Sequence, residues 1–194
     1  MRVLITGGYG FIGAWIIRNL LARGAAVWVY DLREDARRLR LILPESEVAK
    51  VTFVPGDVTD LPALQRAIGA HQISHVVHLA GLQVPTCRAD PLLGAKVNVL
   101  GTLAVFEAVR AAGAQVKRLV YASSAAVFGG PDAYKGEGKR VKDENKTSSD
   151  SSFTLHPSSL PDDARLIPST HYGVFKCCNE GNARIYFQDF GISS

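Results

Sequence analysis

The chain has 194 residues, 47% of them hydrophobic, with 22 Lys+Arg against 18 Asp+Glu and a formal net charge of +4. That composition describes one ordinary globular domain with material for a core, and it excludes a disordered chain. Three cysteines make no disulfide framework, and charge this balanced excludes a strongly cationic nucleic-acid binder. Apolar stretches such as Phe11 to Ile17 stop at Arg18, short of the roughly 18 consecutive apolar residues of a membrane span. The N-terminus runs into Gly7-Gly8 before a signal-peptide apolar region forms, so the expectation is a cytoplasmic protein with neither membrane nor nucleic acid as a partner.

In chain order, the nearly continuous apolar runs Arg2 to Thr6, Ala26 to Tyr30, Val51 to Val54, His75 to Leu79 and Val116 to Ala122 predict strands covered on both faces. Between them, Phe11 to Arg23, Arg33 to Leu43, Leu61 to Ile68 and Pro91 to Ala112 carry a helical period, with Gly24 and Gly113 closing the first and fourth. Alternating strands and helices predict an α/β fold, a doubly wound parallel sheet of Rossmann-like type, as a single domain over 1–194. Gly129-Gly130-Pro131 marks a turn, and Asp132 to Ser169 reads as a polar, mobile surface insertion. A last helix runs from about Thr170 to Phe190, with no strand after it.

Gly7-Gly8-Tyr9-Gly10-Phe11-Ile12-Gly13 falls between the first strand and the first helix. A pyrophosphate docks where the backbone N–H groups of a helix N-terminus are exposed, and Cβ atoms at the turn would hold it off. Gly7 and Gly10 would make the turn and Gly13 would admit close helix packing; a ligand-free strand-to-helix turn explains the same glycines. Asp31 adds a second signal, because it ends the second strand where a carboxylate can accept the ribose hydroxyls. That carboxylate would repel a 2′-phosphate, which favours NAD over NADP. Leu32 and Arg33 adjoin the same position, while Arg33 and Arg37 keep the NADP alternative open.

Tyr172 and Lys176 are four apart in the last helix and therefore share a face. An ammonium beside a phenol favours the phenolate, which suits a general acid or base near neutrality. Ser123-Ser124 stands at the C-terminal end of the fifth strand, the edge where ligands bind in such sheets, and Ser124 could orient a substrate oxygen or simply cap the strand end.

Taken together, Thr6 to Gly13, Asp31, Gly56-Asp57-Val58-Thr59-Asp60, His78-Leu79-Ala80-Gly81, Asn98, Ser123-Ser124 and Tyr172-x-x-x-Lys176 resemble the extended short-chain dehydrogenase/reductase superfamily. More narrowly the chain resembles the NAD-dependent epimerase/dehydratase family, the UDP-galactose 4-epimerase type. The resemblance implies that Phe11 and Ile12 join the glycines at the cofactor and that Asp57 and Val58 hold adenine. It implies that Leu79, Ala80 and Gly81 line the nicotinamide side, with Ser123 beside them. Asn98 would support the active-site hydrogen bonds, Lys176 would also bind the nicotinamide ribose, and Tyr172 would exchange the substrate hydroxyl proton while hydride passes to or from NAD. Ala125-Ala126 replace the Asp-Glu pair of the family's 4,6-dehydratases, which disfavours dehydration by that route. A sugar or nucleotide-sugar substrate follows, with a sugar acid, steroid-like or other small alcohol as the alternative and a non-catalytic dinucleotide sensor as a third class. The family also implies a homodimer and a further strand with a C-terminal substrate region, absent from these 194 residues.

Other residues point elsewhere. His78, ending a buried strand, reads as a packed residue; Cys177 and Cys178 diverge on their helix, Cys87 falls in a loop, and no metal site is expected. Arg88 in that loop can meet a phosphate or carboxylate. The Lys135 to Lys146 cluster is diluted by Glu137, Asp143 and Glu144 and has no aromatic platform for bases.

Overall fold

Residue alternation in the strands decides the layers. The computed structural model describes residues 1–128 and 164–194. Most of the expected insertion, the turn before it and the Lys135 to Lys146 cluster lie outside the described residues. Five parallel strands, β1 (Arg2–Thr6), β2 (Ala26–Asp31), β3 (Val51–Pro55), β4 (His75–His78) and β5 (Arg118–Tyr121), form one sheet in the order β3-β2-β1-β4-β5. Side chains alternate between faces, so Val3, Ile5, Val27 and Val29 enter one core while Leu4, Trp28, Tyr30 and Val76 enter the other. The first core is closed by α1 (Phe11–Ala22), whose Ala14 and Ile17 face the sheet, together with Leu39 and Val48. The second is closed by α4 (Leu61–Ala70), α7 (Gly101–Ala112) and α8 (His171–Phe190), through Leu64, Ile68, Phe106, Val109 and Tyr186.

Thr6 pairs with Tyr30 of β2 on one side and with His78 of β4 on the other. Successive strands diverge here, β2 and β3 running outward one way and β4 and β5 the other, and this switch point opens a crevice at the carboxyl ends of the strands.

Three expected elements differ. The helix expected over Arg33 to Leu43 is replaced by two single turns, α2 (Arg37–Arg40) and α3 (Glu45–Val48). Asp35 takes the Arg37 backbone N–H and its guanidinium, and Pro44 removes a donor and biases Leu43 out of helical geometry. The expected Cys87 loop contains the helix α5 (Val84–Ala89), with Cys87 fully buried. The helix from Pro91 to Ala112 is interrupted: α6 (Pro91–Ala95) passes through a π turn, Lys96–Leu100, before α7. This run, Pro91–Gln115, is long and apolar enough to cross a membrane by composition, with mean hydropathy 1.5, yet Val105, Phe106, Ala108 and Val109 bury it against the sheet.

Thr170 caps α8 by accepting the Gly173 N–H (3.0 Å), and Gly191 ends it at φ +67° in an αL turn, its N–H donating to the Phe187 carbonyl (2.9 Å). Beyond it the Leu119 N–H donates to the Ser193 carbonyl (3.0 Å), so the final residues run alongside β5.

Candidate active site

The crevice is built first from backbone. Gly7 has φ +67°, and a Cβ there would stand 2.7 Å from the Ala80 backbone, so the glycine lets β1 turn tightly against the segment after β4. A Cβ on Gly13 would fall 2.3 Å from the Gly8 carbonyl oxygen; what this glycine admits is the loop itself, folded onto the first turn of α1. Gly10, at the N-cap of α1, brings no capping side chain, and the first turn contains no acid. The N–H groups of Phe11 and Ile12 therefore lack intrahelical acceptors at the positive end of the helix dipole.

One half of the groove, about 360 Å³, is lined by Gly7, Gly10, Asp31, Leu32, Asp57 and Val58, and by Leu79 to Gln83. Burial holds the Asp31 carboxyl above the ordinary carboxylate range, opposed by the N–H groups of Leu32 (2.8 Å) and Tyr9. Asp57 accepts both the N–H and the hydroxyl of Thr59 at 2.9 Å, which fixes the turn after β3. Arg33 is exposed on the loop and Arg37 is engaged with Asp35, so Arg38 is the arginine that reaches the glycine loop, donating to the Tyr9 carbonyl (3.3 Å).

The other half, about 210 Å³, shares Gly7, Gly10, Leu79, Gly81 and Gln83 with the first and adds Phe11, Ile12, Gly13, Ala122, Ser123, Tyr172 and Lys176. Helical spacing carries Tyr172 and Lys176 onto this wall together. The Lys176 ammonium donates to the Ala122 carbonyl (2.7 Å) and lies 5.6 Å from the centre of the Tyr172 ring. Burial pushes its pKa down, because the ammonium stands in a weakly solvated place. Ser123 faces this half and donates to Glu180. Ser124 points its oxygen at the Ala126 N–H (3.2 Å), capping a short 3-10 turn.

Asn98 lies behind the wall and is 2% exposed; its amide clasps Leu82 on both sides, accepting from the N–H (2.7 Å) and donating to the carbonyl (2.9 Å). Sequence reasoning missed Glu180, although it continues the four-residue spacing of Tyr172 and Lys176, and it missed Asn179, which no local pattern announces.

A third cavity, about 610 Å³, opens beside Tyr172 between Val84, Arg88, Pro168, Ser169, Thr170, His171 and Val174. Arg88 gives its lining a positive charge, His171 adds an imidazole, and among the described residues no carboxylate lines it. The groove thus has what a dinucleotide needs: an uncapped helix start, a cradle without Cβ atoms, a carboxylate at the end of the second strand and proton-bearing side chains at the far end.

Comparison with known proteins agrees. Residues 4–152 match the family model described as GDP-mannose 4,6 dehydratase. The chain is 39% identical over 131 residues to UDP-glucose 4-epimerase of Erwinia amylovora, covering 66% of this chain and 38% of that protein. It is 38% identical over 131 residues to a Klebsiella pneumoniae UDP-glucose 4-epimerase sequence, covering 66% of this chain and 93% of that one. The Thermus thermophilus UDP-glucose 4-epimerase solved with NAD superposes with a TM-score of 0.73 and 31% identity, over 99% of this chain and 52% of that chain. The chain thus spans about half the length of that solved relative. With the motifs, the strand order and these matches in accord, the chain belongs to the NAD-dependent epimerase/dehydratase family.

Proposed function

We propose that this chain binds NAD along the crevice and carries the proton-handling side chains of an epimerase or oxidoreductase that works on a hydroxyl of a sugar or nucleotide-sugar. The observation that carries the reading is that Tyr172 and Lys176, from the last helix, line the same cleft as the glycine loop. The N–H groups of Phe11 and Ile12, with Gly7, Gly10 and Gly13, would hold the pyrophosphate; Asp31 the adenosine ribose; Asp57 and Val58 the adenine. Leu79, Gly81, Ser123 and Lys176 would hold the nicotinamide half. NAD, when bound, supplies a carbon that accepts hydride from the substrate and can return it.

Tyr172 would take the proton of the substrate hydroxyl as the carbon is oxidised and give it back on reduction, with Lys176 stabilising the phenolate between those events. The hydroxyl of Ser123 or Ser124 would orient the substrate oxygen. Arg88 and His171, beside the reacting end, would face an anionic part of the substrate, as a nucleotide diphosphate or a sugar acid provides. A cytoplasmic homodimer belongs to the same reading; its support is the exposure of Leu92, Leu100 and Val174 on the helices that follow β4 and on α8.

The test separates binding from chemistry. Calorimetric titration should find NAD bound by both the wild type and Tyr172→Phe. Turnover of sugar nucleotides by the full-length protein should drop by about 10²- to 10⁴-fold in the variant. Undiminished turnover in Tyr172→Phe would sink the mechanism. Net NADH release would favour a dehydrogenase over an epimerase, which recycles its cofactor.

A further inference from the structure

Beneath the groove runs a chain of buried polar side chains, of which the family resemblance gives a role to Asn98 alone. Thr6, His78, Asn98, Thr102 and Asn179 come from β1, β4, the π turn, α7 and α8, and none is more than 4% exposed. Their hydrogen bonds have one consistent direction. The Thr102 hydroxyl donates its single proton to the Asn98 carbonyl (2.8 Å), so toward His78 Nε2 (3.0 Å) and Asn179 Nδ2 (3.2 Å) it accepts. His78 is then a neutral imidazole with its proton on Nε2, and its Nδ1 accepts the Thr6 hydroxyl at 2.6 Å. Thr6 in turn accepts the Ala80 N–H (3.3 Å). Donation runs without a break from Ala80 to the Asn98 carbonyl.

Both ends of this chain close on the same segment. Ala80 is held by its N–H, and Leu82 is clasped by the Asn98 amide, on either side of Gly81. Leu79, Gly81 and Gln83 of that segment line both halves of the groove, and the held residues Ala80 and Leu82 alternate with them. Asn179, three residues after Lys176 on α8, donates to the Asn98 carbonyl (2.9 Å) and ties the helix of Tyr172 and Lys176 to the same clasp. A core needing only to be filled would take apolar side chains at these places, without the desolvation cost of five polar groups.

We propose that His78 and Thr102 are positioning residues: acting through Thr6 and Asn98, they hold the Leu79 to Gln83 wall and α8 in the arrangement that binds a dinucleotide. The inference rests on the NAD reading above, and the experiment distinguishes the two. NAD is titrated calorimetrically into the wild type, Thr102→Val and Thr102→Ser, with melting temperatures measured alongside. Valine keeps the shape and removes the hydroxyl; serine keeps the hydroxyl and removes a buried methyl. Thr102→Val should bind NAD about tenfold more weakly, and Thr102→Ser within about twofold of wild type even though it too melts lower. A merely structural role would make affinity follow melting temperature in both. Wild-type affinity in Thr102→Val, or an equal loss in Thr102→Ser, overturns the inference and leaves the NAD reading standing; a wild type that binds no NAD overturns both. If Thr102→Val does not fold, His78→Asn decides by the same affinity criterion, since it can keep the Thr6 bond and loses only the link to Thr102.

Discussion

The two ends of the groove are built from different materials. At the glycine-loop end the wall is main chain: uncapped N–H groups, Gly7 and Gly13 where a Cβ would strike backbone, and a carboxylate at the end of β2. At the other end it is side chains on α8 and after β5, and their places depend on bonds to distant residues, such as Lys176 to Ala122 and Ser123 to Glu180. A backbone site is made by local geometry and tolerates little change. A side-chain site is made by the packing of elements far apart in sequence, so single substitutions can remove its chemistry and leave the fold intact.

The sharpest way to break that contrast is Gly13→Ala. Its Cβ would stand 2.3 Å from a backbone oxygen, which cannot step aside as a side chain could. NAD affinity measured by calorimetry should fall roughly a hundredfold, or about 3 kcal/mol, because the loop must move off α1.

Acid probes the polar chain between the two ends. Burial, with the Lys176 charge adding to it, pushes the His78 pKa down to about 3 from its ordinary 6.5. The unfolded chain binds the proton first, so stability falls as pH drops below about 6.5 and levels off only near the folded value. Between pH 7 and pH 5 the loss is about 2 kcal/mol, readable from urea unfolding curves, and this portion should vanish in His78→Asn.

Asp31→Ala should weaken NAD about tenfold and NADP less, narrowing the preference between them in a competition titration. An unchanged ratio would remove Asp31 from the ribose. The smallest effect belongs to Thr170→Ala, which deletes the cap on α8 (Gly173 N–H to Thr170 hydroxyl, 3.0 Å) and should cost about 1 kcal/mol. Hydrogen exchange should report faster opening at the first turn of α8 and none at the glycine loop.

The five strands and the glycine loop were legible because their signals are local. Apolar runs bounded by glycine read the same wherever the chain goes, and the Tyr172 and Lys176 pair follows from helical spacing alone. The failures were local signals overridden by particular contacts. A helical period from Arg33 to Leu43 yielded to Asp35 and Pro44. Continuous helix from Pro91 gained an extra residue at the π turn, where Asn98 clasps Leu82, 16 residues away.

What the amino-acid order settled by itself, then, was the alternating α/β architecture, the glycine turn from Gly7 to Gly13 and the acid that ends the second strand at Asp31, since each depends on neighbours within one strand, turn or helix. Only the tertiary structure decided that Ser123 faces the cleft while Ser124 caps a turn, that Arg88 and His171 share a cavity, and that Thr6 meets His78 across 72 residues. A hydrogen bond between side chains from different elements depends on where the sheet sets both backbones, and no spacing in the sequence encodes that distance.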